Sequence, residues 1–236
     1  MLMTPARRHQ MRVLAAQAAQ AAGQGDEMQG TAYELMLAQL AEHKRALKAI
    51  QSVERKIEAK RAILPVYDEY LQGVLAAGQG ATDMVLTTLL VWHLDTGAWD
   101  SGMQLAAYAL AHGLAMPDQY QRDLPTLLID ETSTAALAGK LVGDDALRVL
   151  SQVDQLTSER DAPDQARAKL FKAIGYALVG KTPKHEPDVA TLDPSRAAMA
   201  MKHLARAHEL FDKVGVKKDM ERLERRVKNA PPDGTD

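Results

Sequence analysis

Apolar positions recur at helical spacing along nearly the whole chain. Thr4-Pro5 is a capping residue followed by proline at the first helical position, and Gly23, Gly25 and Gly30 end the helix that starts there in a flexible link. Thr31-Ala32-Tyr33-Glu34 forms a capping box, after which neither Gly nor Pro intervenes until Pro65, so one long helix or a helical hairpin is predicted. Within it Met36, His43, Ile50, Ile57 and Leu64 recur every seven residues, and Leu40 and Leu47 follow four later. That is the pattern of a coiled-coil seam. So narrow a stripe needs covering by a returning helix such as 66–77 or by other copies of the chain, and self-association through these seven residues is the expectation.

Past Gly78-Gln79-Gly80 the pattern changes to helices of ordinary length, near 82–94, 101–113, 117–138, 144–158 and 164–179, then 194–213 and 216–228. They form an array of helix pairs. Asp95-Thr96-Gly97-Ala98-Trp99 before Leu105 and Tyr108, and 204–210 before Gly215, resemble units of tetratricopeptide type. The expected organisation is a basic N-terminal helix and link (1–30), a coiled-coil oligomerisation and DNA-binding region (31–78), an acidic helical domain (79–180), a Pro-rich linker (181–193), a basic helix pair (194–230) and a disordered tail (231–236).

Composition narrows the class. Aromatics make up 4 % of the 236 residues, against 46 % apolar residues overall, and abundant Ala, Leu, Gln and Glu favour helices over sheets. An all-α fold follows. With no cysteine, disulfides, thiolate metal sites and cysteine nucleophiles are excluded, and a reducing cytosol fits. The longest apolar run, 84–92, is too short to span a bilayer, and Gln17 and Gln20 interrupt what would otherwise imitate a secretion signal. No membrane partner is expected.

The net charge of −2 hides a sorted distribution. Lys+Arg against Asp+Glu run 10 to 6 over residues 1–62, 5 to 15 over 65–168, and 14 to 10 over 169–236. Basic ends suit a polyanion, since attraction depends on local charge. Arg7, Arg8 and Arg12, with Lys44, Arg45, Lys48, Arg55, Lys56, Lys60 and Arg61 beside the seam, are the candidate DNA contacts, able to neutralise phosphates without reading sequence.

Other chemistry is weaker. Gly175-Tyr176-Ala177-Leu178-Val179-Gly180-Lys181-Thr182 matches a nucleotide-binding pattern formally, but a helix precedes it where a strand is required, and Pro183 and Pro187 forbid the helix that should follow. Gly180 reads as a helix C-cap. The acidic pairs Asp68-Glu69, Asp130-Glu131 and Asp144-Asp145, with Asp118 and Asp123, could gather Mg²⁺ for strand cleavage, yet no nucleophile-orienting group stands at fixed spacing beside them. Seven histidines lack the spacing of helical zinc ligands. No cofactor, metal site or catalytic residue is assigned.

Seven collinear stretches carry a family resemblance. They are Tyr33-Glu34-Leu35-Met36-Leu37; Gln51-Ser52-Val53-Glu54-Arg55-Lys56; Leu64-Pro65 with Tyr67 and Gly73-Val74-Leu75; Val91-Trp92-His93-Leu94-Asp95-Thr96-Gly97; 108–118; 163–170; and 214–223. Together they resemble the small terminase subunit of temperate tailed bacteriophages with contractile tails, a family also labelled the terminase endonuclease subunit. The resemblance implies viral DNA packaging: a homo-oligomeric ring that binds the cohesive-end region of phage DNA and delivers it to the large ATPase subunit. Lys217, Lys218, Arg222, Arg225 and Arg226 of the C-terminal basic helix, an accessible charged element, are the candidate docking residues for that large subunit or for the DNA. Metal-dependent cutting by this chain itself and a helical-repeat peptide scaffold are the alternative functions.

Overall fold

The computed structural model describes residues 4–117 and 122–228, and among them eleven α-helices carry the fold with no strand. It divides into two compact units, Met1–Leu124 and Pro125–Asp236. The boundary falls inside the stretch 79–180 that charge marks out as acidic. Asp118 and the tail 231–236 lie outside the described residues.

The first unit holds α1 (Pro5–Ala22), α2 (Thr31–Ala49), α3 (Val53–Ile63), a 3-10 turn at Leu64–Val66, α4 (Asp68–Ala77), α5 (Met84–Thr96) and α6 (Trp99–His112). Its core forms around α5, where every side chain from Val85 to Leu94 is buried. A helix apolar on all sides has no solvent face, so it takes the centre and its neighbours wrap it. Asp83 starts α5, its Oδ1 accepting from the Val85 and Leu86 amides at 2.8 and 3.0 Å. α1 lies so close to α4 that a Cβ on Gly73 would stand 2.3 Å from the Arg12 carbonyl oxygen. Ala15 and Ala19, both fully buried, line that contact side of α1.

Two expectations are corrected in this unit. The predicted single helix from Thr31 to Pro65 breaks: Ile50 turns to an extended conformation (φ −86°, ψ 125°), and the Ser52 hydroxyl accepts from the Arg55 amide at 3.4 Å to cap a new helix. Serine is a good N-cap, and α3 gains by swinging onto the end of α5, as described below. The link at 23–30 is also pinned. The Gly25 and Met28 amides donate to Gly80 and Thr82 carbonyls at 3.2 and 3.0 Å, the Thr82 amide donates to Asp26 at 2.8 Å, and Met28 is buried.

The second unit holds α7 (Leu124–Leu137), α8 (Gly143–Thr157), α9 (Asp164–Val179), α10 (Pro194–Leu210) and α11 (Lys217–Lys228). α7 starts later than the expected 117–138. Successive helices pack in sequence, α8 on α9, α9 on α10 and α10 on α11. α9 and α10 meet through small residues: a Cβ on Gly175 would collide with the Leu204 side chain at 2.5 Å, and Ala197 and Ala200 are fully buried. Among the described residues no helix is long and apolar enough to cross a membrane.

Candidate nucleic-acid interface

The ten cations proposed to contact DNA separate into two groups. Arg12, Lys60 and Arg61 are engaged within the first unit. The Arg12 guanidinium reaches Glu69 at 3.7 Å and the Gln72 side chain at 3.4 Å, tying α1 to α4. Arg61 donates from Nε and Nη2 to the Thr96 carbonyl at 3.2 and 2.9 Å, and Lys60 pairs with Asp95 while standing 5.8 Å over the Trp92 ring. These two cations seat at the C-terminus of α5, where unsatisfied carbonyls and the negative helix end attract positive charge. α3 has no fully buried residue, so this clamp and half-buried Ile57 and Ile63 are what attach it.

The other seven remain toward solvent. Arg7 and Arg8 are exposed on the first turn of α1, Lys48 in the last turn of α2 and Arg55 in the first turn of α3. Arg45 faces Glu42 at 4.0 Å with both side chains about three-quarters exposed, a contact worth little. Lys44 and Lys56 are half-buried, and burial lowers the Lys44 pKa from its ordinary value. The break at Ile50–Ser52 therefore sits among cations, with Lys44, Arg45 and Lys48 before it and Arg55 and Lys56 after it. Arg55 and Lys56 stand near a helix N-terminus, where the dipole disfavours positive charge. Local helix stability does not account for them.

The seam residues are covered from within. Met36, Leu40, Leu47 and Leu64 are buried at 1, 1, 7 and 6 % exposure as α2 packs on α1, α3 and α5, so the stripe does not need other copies to cover it. His43 hydrogen-bonds the Tyr67 hydroxyl at 2.7 Å, and Ile50 and Ile57 are half-buried. The returning helix α4 instead packs chiefly on α1.

In the second unit the docking candidates divide similarly. Arg226 donates from Nε and Nη2 to the Leu192 carbonyl at 2.9 and 2.7 Å, and Arg222 pairs with Glu186. Lys217, Lys218 and Arg225 are exposed, and Arg225 contributes with Arg222 and Arg226 to an open cavity of about 540 Å³ beside Asp188–Ala190.

The formal nucleotide motif has another geometry. Gly180 closes α9 in the left-handed conformation (φ 72°), and Lys181 reaches Asp219 at 2.5 Å and Glu186 at 3.2 Å. Burial works against the Lys181 charge, but the two carboxylates outweigh it and hold its pKa above the ordinary value. Tyr176 donates to the other Asp219 oxygen at 2.7 Å. The residues form a structural hub joining α9 to α11.

Of the acidic pairs, Glu69 meets Arg12, Asp130 meets Lys169 at 3.4 Å, and Asp145 meets Arg148 at 3.0 Å. Among the described residues no three His, Cys, Asp or Glu side chains converge as metal ligands would. Asp83 is a polar centre that sequence pattern did not reveal: it is buried, takes a hydrogen bond from Tyr70 at 2.7 Å, and has its pKa pushed up to about 6 by burial. Asp-Met before an apolar run signals a cap but not this depth.

Comparison with known proteins bears on the whole chain. The sequence pattern of a family described as Phage small terminase subunit matches residues 37–165. The chain is 40 % identical over 231 residues, covering 98 % of itself and 88 % of the relative, to "Terminase, endonuclease subunit" of Escherichia phage P2. It is 24 % identical over 204 residues, 84 % of itself and 71 % of the relative, to "Probable terminase, endonuclease subunit" of Haemophilus phage HP1. No solved structure matches.

Proposed function

The chain belongs to the phage small terminase subunit family and serves phage DNA packaging, and we propose that within it this protein grips DNA for the large subunit. Several copies associate in the host cytoplasm, hold the duplex in the cohesive-end region on the basic rim formed by Lys44, Arg45, Lys48, Arg55 and Lys56, and pass it to the ATPase subunit. Contact with that subunit is through Lys217, Lys218 and Arg225 of α11. The observation that carries this reading is the cation row across the α2–α3 break: among the described residues, Lys44, Lys48, Arg55 and Lys56 have no carboxylate partner, whereas Lys60 and Arg61 on the next turns of α3 are tied down. Each copy supplies a weak, salt-sensitive phosphate contact, and association multiplies it.

The quadruple variant Lys44→Glu, Lys48→Glu, Arg55→Glu and Lys56→Glu tests this. Filter retention of phage DNA is expected to fall to background, and the slope of log affinity against log salt to flatten by about 0.9 for each phosphate left without its cation. Unchanged retention would place the DNA elsewhere. The name of the phage P2 relative favours a second reading, in which this chain supplies the cut itself. Purified protein with Mg²⁺ and no large subunit would then nick cohesive-end DNA.

A further inference from the structure

The second unit carries two cavities along the linker that follows α9. The first, about 490 Å³, opens between α7, α8 and α9. Its floor is alanine, with Ala136, Ala146 and Ala173 all buried, and Val142 stands half-exposed on its rim. Side chains no larger than a methyl leave room that a packed interior would have filled. One wall is fixed: a Cβ on Gly139 would lie 3.4 Å from Pro183, and the Thr182 and His185 amides each donate to the other's carbonyl at 2.9 and 3.2 Å. The second cavity, about 540 Å³, lies beside Asp188–Ala190 and takes Arg222, Arg225 and Arg226 from one face of α11. Among the described residues neither Arg225 nor Arg226 has a carboxylate partner, since Arg226 holds the Leu192 carbonyl and Arg225 the Glu221 carbonyl. Asp188 lines the cavity too, but its Oδ1 already accepts from the Ala190 amide at 3.0 Å, and positive charge prevails. The negative end of α11 favours cations in its last turn, yet it does not require them to converge on a cavity.

We propose that the two cavities together receive one extended peptide segment of the large subunit, a bulky apolar side chain filling the first and carboxylates meeting Arg225 and Arg226 at the second. This rests on the docking of that subunit at α11 proposed above and names what the subunit presents. One carboxylate bridges the cavities: Glu186 pairs with Lys181, which lines the first, at 3.2 Å, and with Arg222, which lines the second. A carboxylate and its two hydrogen bonds span about 8 Å, so the apolar anchor and the first acid stand about three residues apart in an extended chain. Pro187, next along the linker, is buried and holds its path. Guanidinium forks take carboxylates in bidentate pairs, and a single apolar side chain seated in a pocket can carry much of an interface. A DNA duplex offers phosphates to the arginines but no apolar side chain to the alanine-floored cavity. That difference selects a peptide.

Binding of the full chain to purified large subunit, measured by calorimetry, tests this. Arg225→Glu removes a carboxylate contact, and Ala177→Trp on α9 fills the apolar cavity from a half-buried position. Each is expected to raise the dissociation constant about tenfold or more while retention of duplex DNA stays at the wild-type level. Should the tryptophan variant lose its helical circular dichroism, Val142→Glu at the half-exposed rim replaces it. Synthetic peptides with one tryptophan about three residues before or after a run of glutamates are the probes, and one of them should displace the large subunit. Its versions with Ser for Trp, or Gln for Glu, should not. Wild type that does not bind the large subunit, or binds it equally after Lys217→Glu, Lys218→Glu and Arg225→Glu together, overturns the docking reading and the proposal with it. Docking weakened by the charge changes but unmoved by Ala177→Trp and Val142→Glu overturns the two-cavity proposal alone, as does displacement by none of the peptides or by all alike. Loss of duplex retention in Arg225→Glu assigns the arginines to DNA and likewise refutes the proposal.

Discussion

The Nδ1 atom of His43 lies 2.7 Å from the Tyr67 hydroxyl oxygen, with the two rings edge to face at 5.7 Å and 76°. This contact fastens α2 to the turn that precedes α4. Burial lowers the His43 pKa and raises that of Tyr67, so both groups stay neutral near pH 7 and share one proton in the hydrogen bond. A histidine depressed in the folded state binds protons more readily when unfolded. Its contribution is fully present above the ordinary value of 6.5 and is lost as pH falls below it. Urea unfolding from about pH 8 to about pH 5 should show this decline, and His43→Gln should flatten it. An identical pH slope in the variant would remove His43 from the account. Tyr67→Phe should cost about 1 kcal/mol at pH 7 by stranding the imidazole nitrogen.

Asp83 works in the opposite sense. Burial pushes its carboxyl up to about 6, partly offset by hydrogen bonds from Leu86, Tyr70 and Val85. A raised acid contributes stability below its ordinary 3.8 that is lost as pH rises through about 6. Asp83→Asn keeps a side-chain oxygen for capping α5 but cannot ionise. Its stability relative to wild type should improve as pH rises from about 4 to about 7, measured by denaturant midpoint. A pH-independent difference would refute the assignment.

The clamp on α5 and the DNA rim should separate by mutation. Lys60→Met and Arg61→Met each lose a partner at the helix C-terminus and should destabilise by about 1 to 2 kcal/mol, with faster hydrogen exchange through α3. Their salt dependence of DNA binding should match wild type. A reduced salt slope would return these two cations to the interface.

Gly73→Ala should be among the most damaging single substitutions in the first unit. The added Cβ would lie 2.3 Å from the Arg12 carbonyl oxygen and 2.9 Å from the Ala15 Cβ, so α1 must move off α4. A loss of about 3 kcal/mol is expected from overpacking, read from thermal or urea unfolding. A midpoint equal to wild type would show that the two helices part easily.

Lys181→Met should lower stability because Asp219 loses its ion pair and, among the described residues, keeps the Tyr176 hydroxyl as its hydrogen-bond partner with the Lys172 charge nearby. A cost of about 2 kcal/mol is expected. ATP added at millimolar concentration should leave the wild-type unfolding midpoint where it is, since Lys181 is already held by carboxylates. An ATP-dependent rise abolished by this substitution would reinstate the nucleotide motif.

Much of the helical order was legible in local chemistry. Thr4-Pro5, Asp193-Pro194, the left-handed glycines Gly78, Gly97, Gly113, Gly180 and Gly215, and the apolar run after Asp83 mark most helix starts and ends by capping and hydrophobic burial alone. The rejection of a phosphate loop at Gly175 to Thr182 followed from the same rules, because a helix on one side and prolines on the other are local facts. The break after Ala49 was illegible, since no Gly or Pro marks it and Ser52 caps a helix only once α3 has somewhere to turn.

What the amino-acid order determined by itself is the all-helical class, the sorting of charge and the set of cations near the N-terminus, because propensity, capping and local charge act over a few residues. Tertiary structure alone decided which of those cations are free. Lys60 and Arg61 belong to the same charged run as Arg55 and Lys56, and only the arrival of the α5 C-terminus beside α3 distinguishes them. It likewise decided that Met36, Leu40 and Leu47 are covered by the chain's own helices while Leu14 and Leu35 stay in the open, since a seven-residue stripe states that something must cover it and not what.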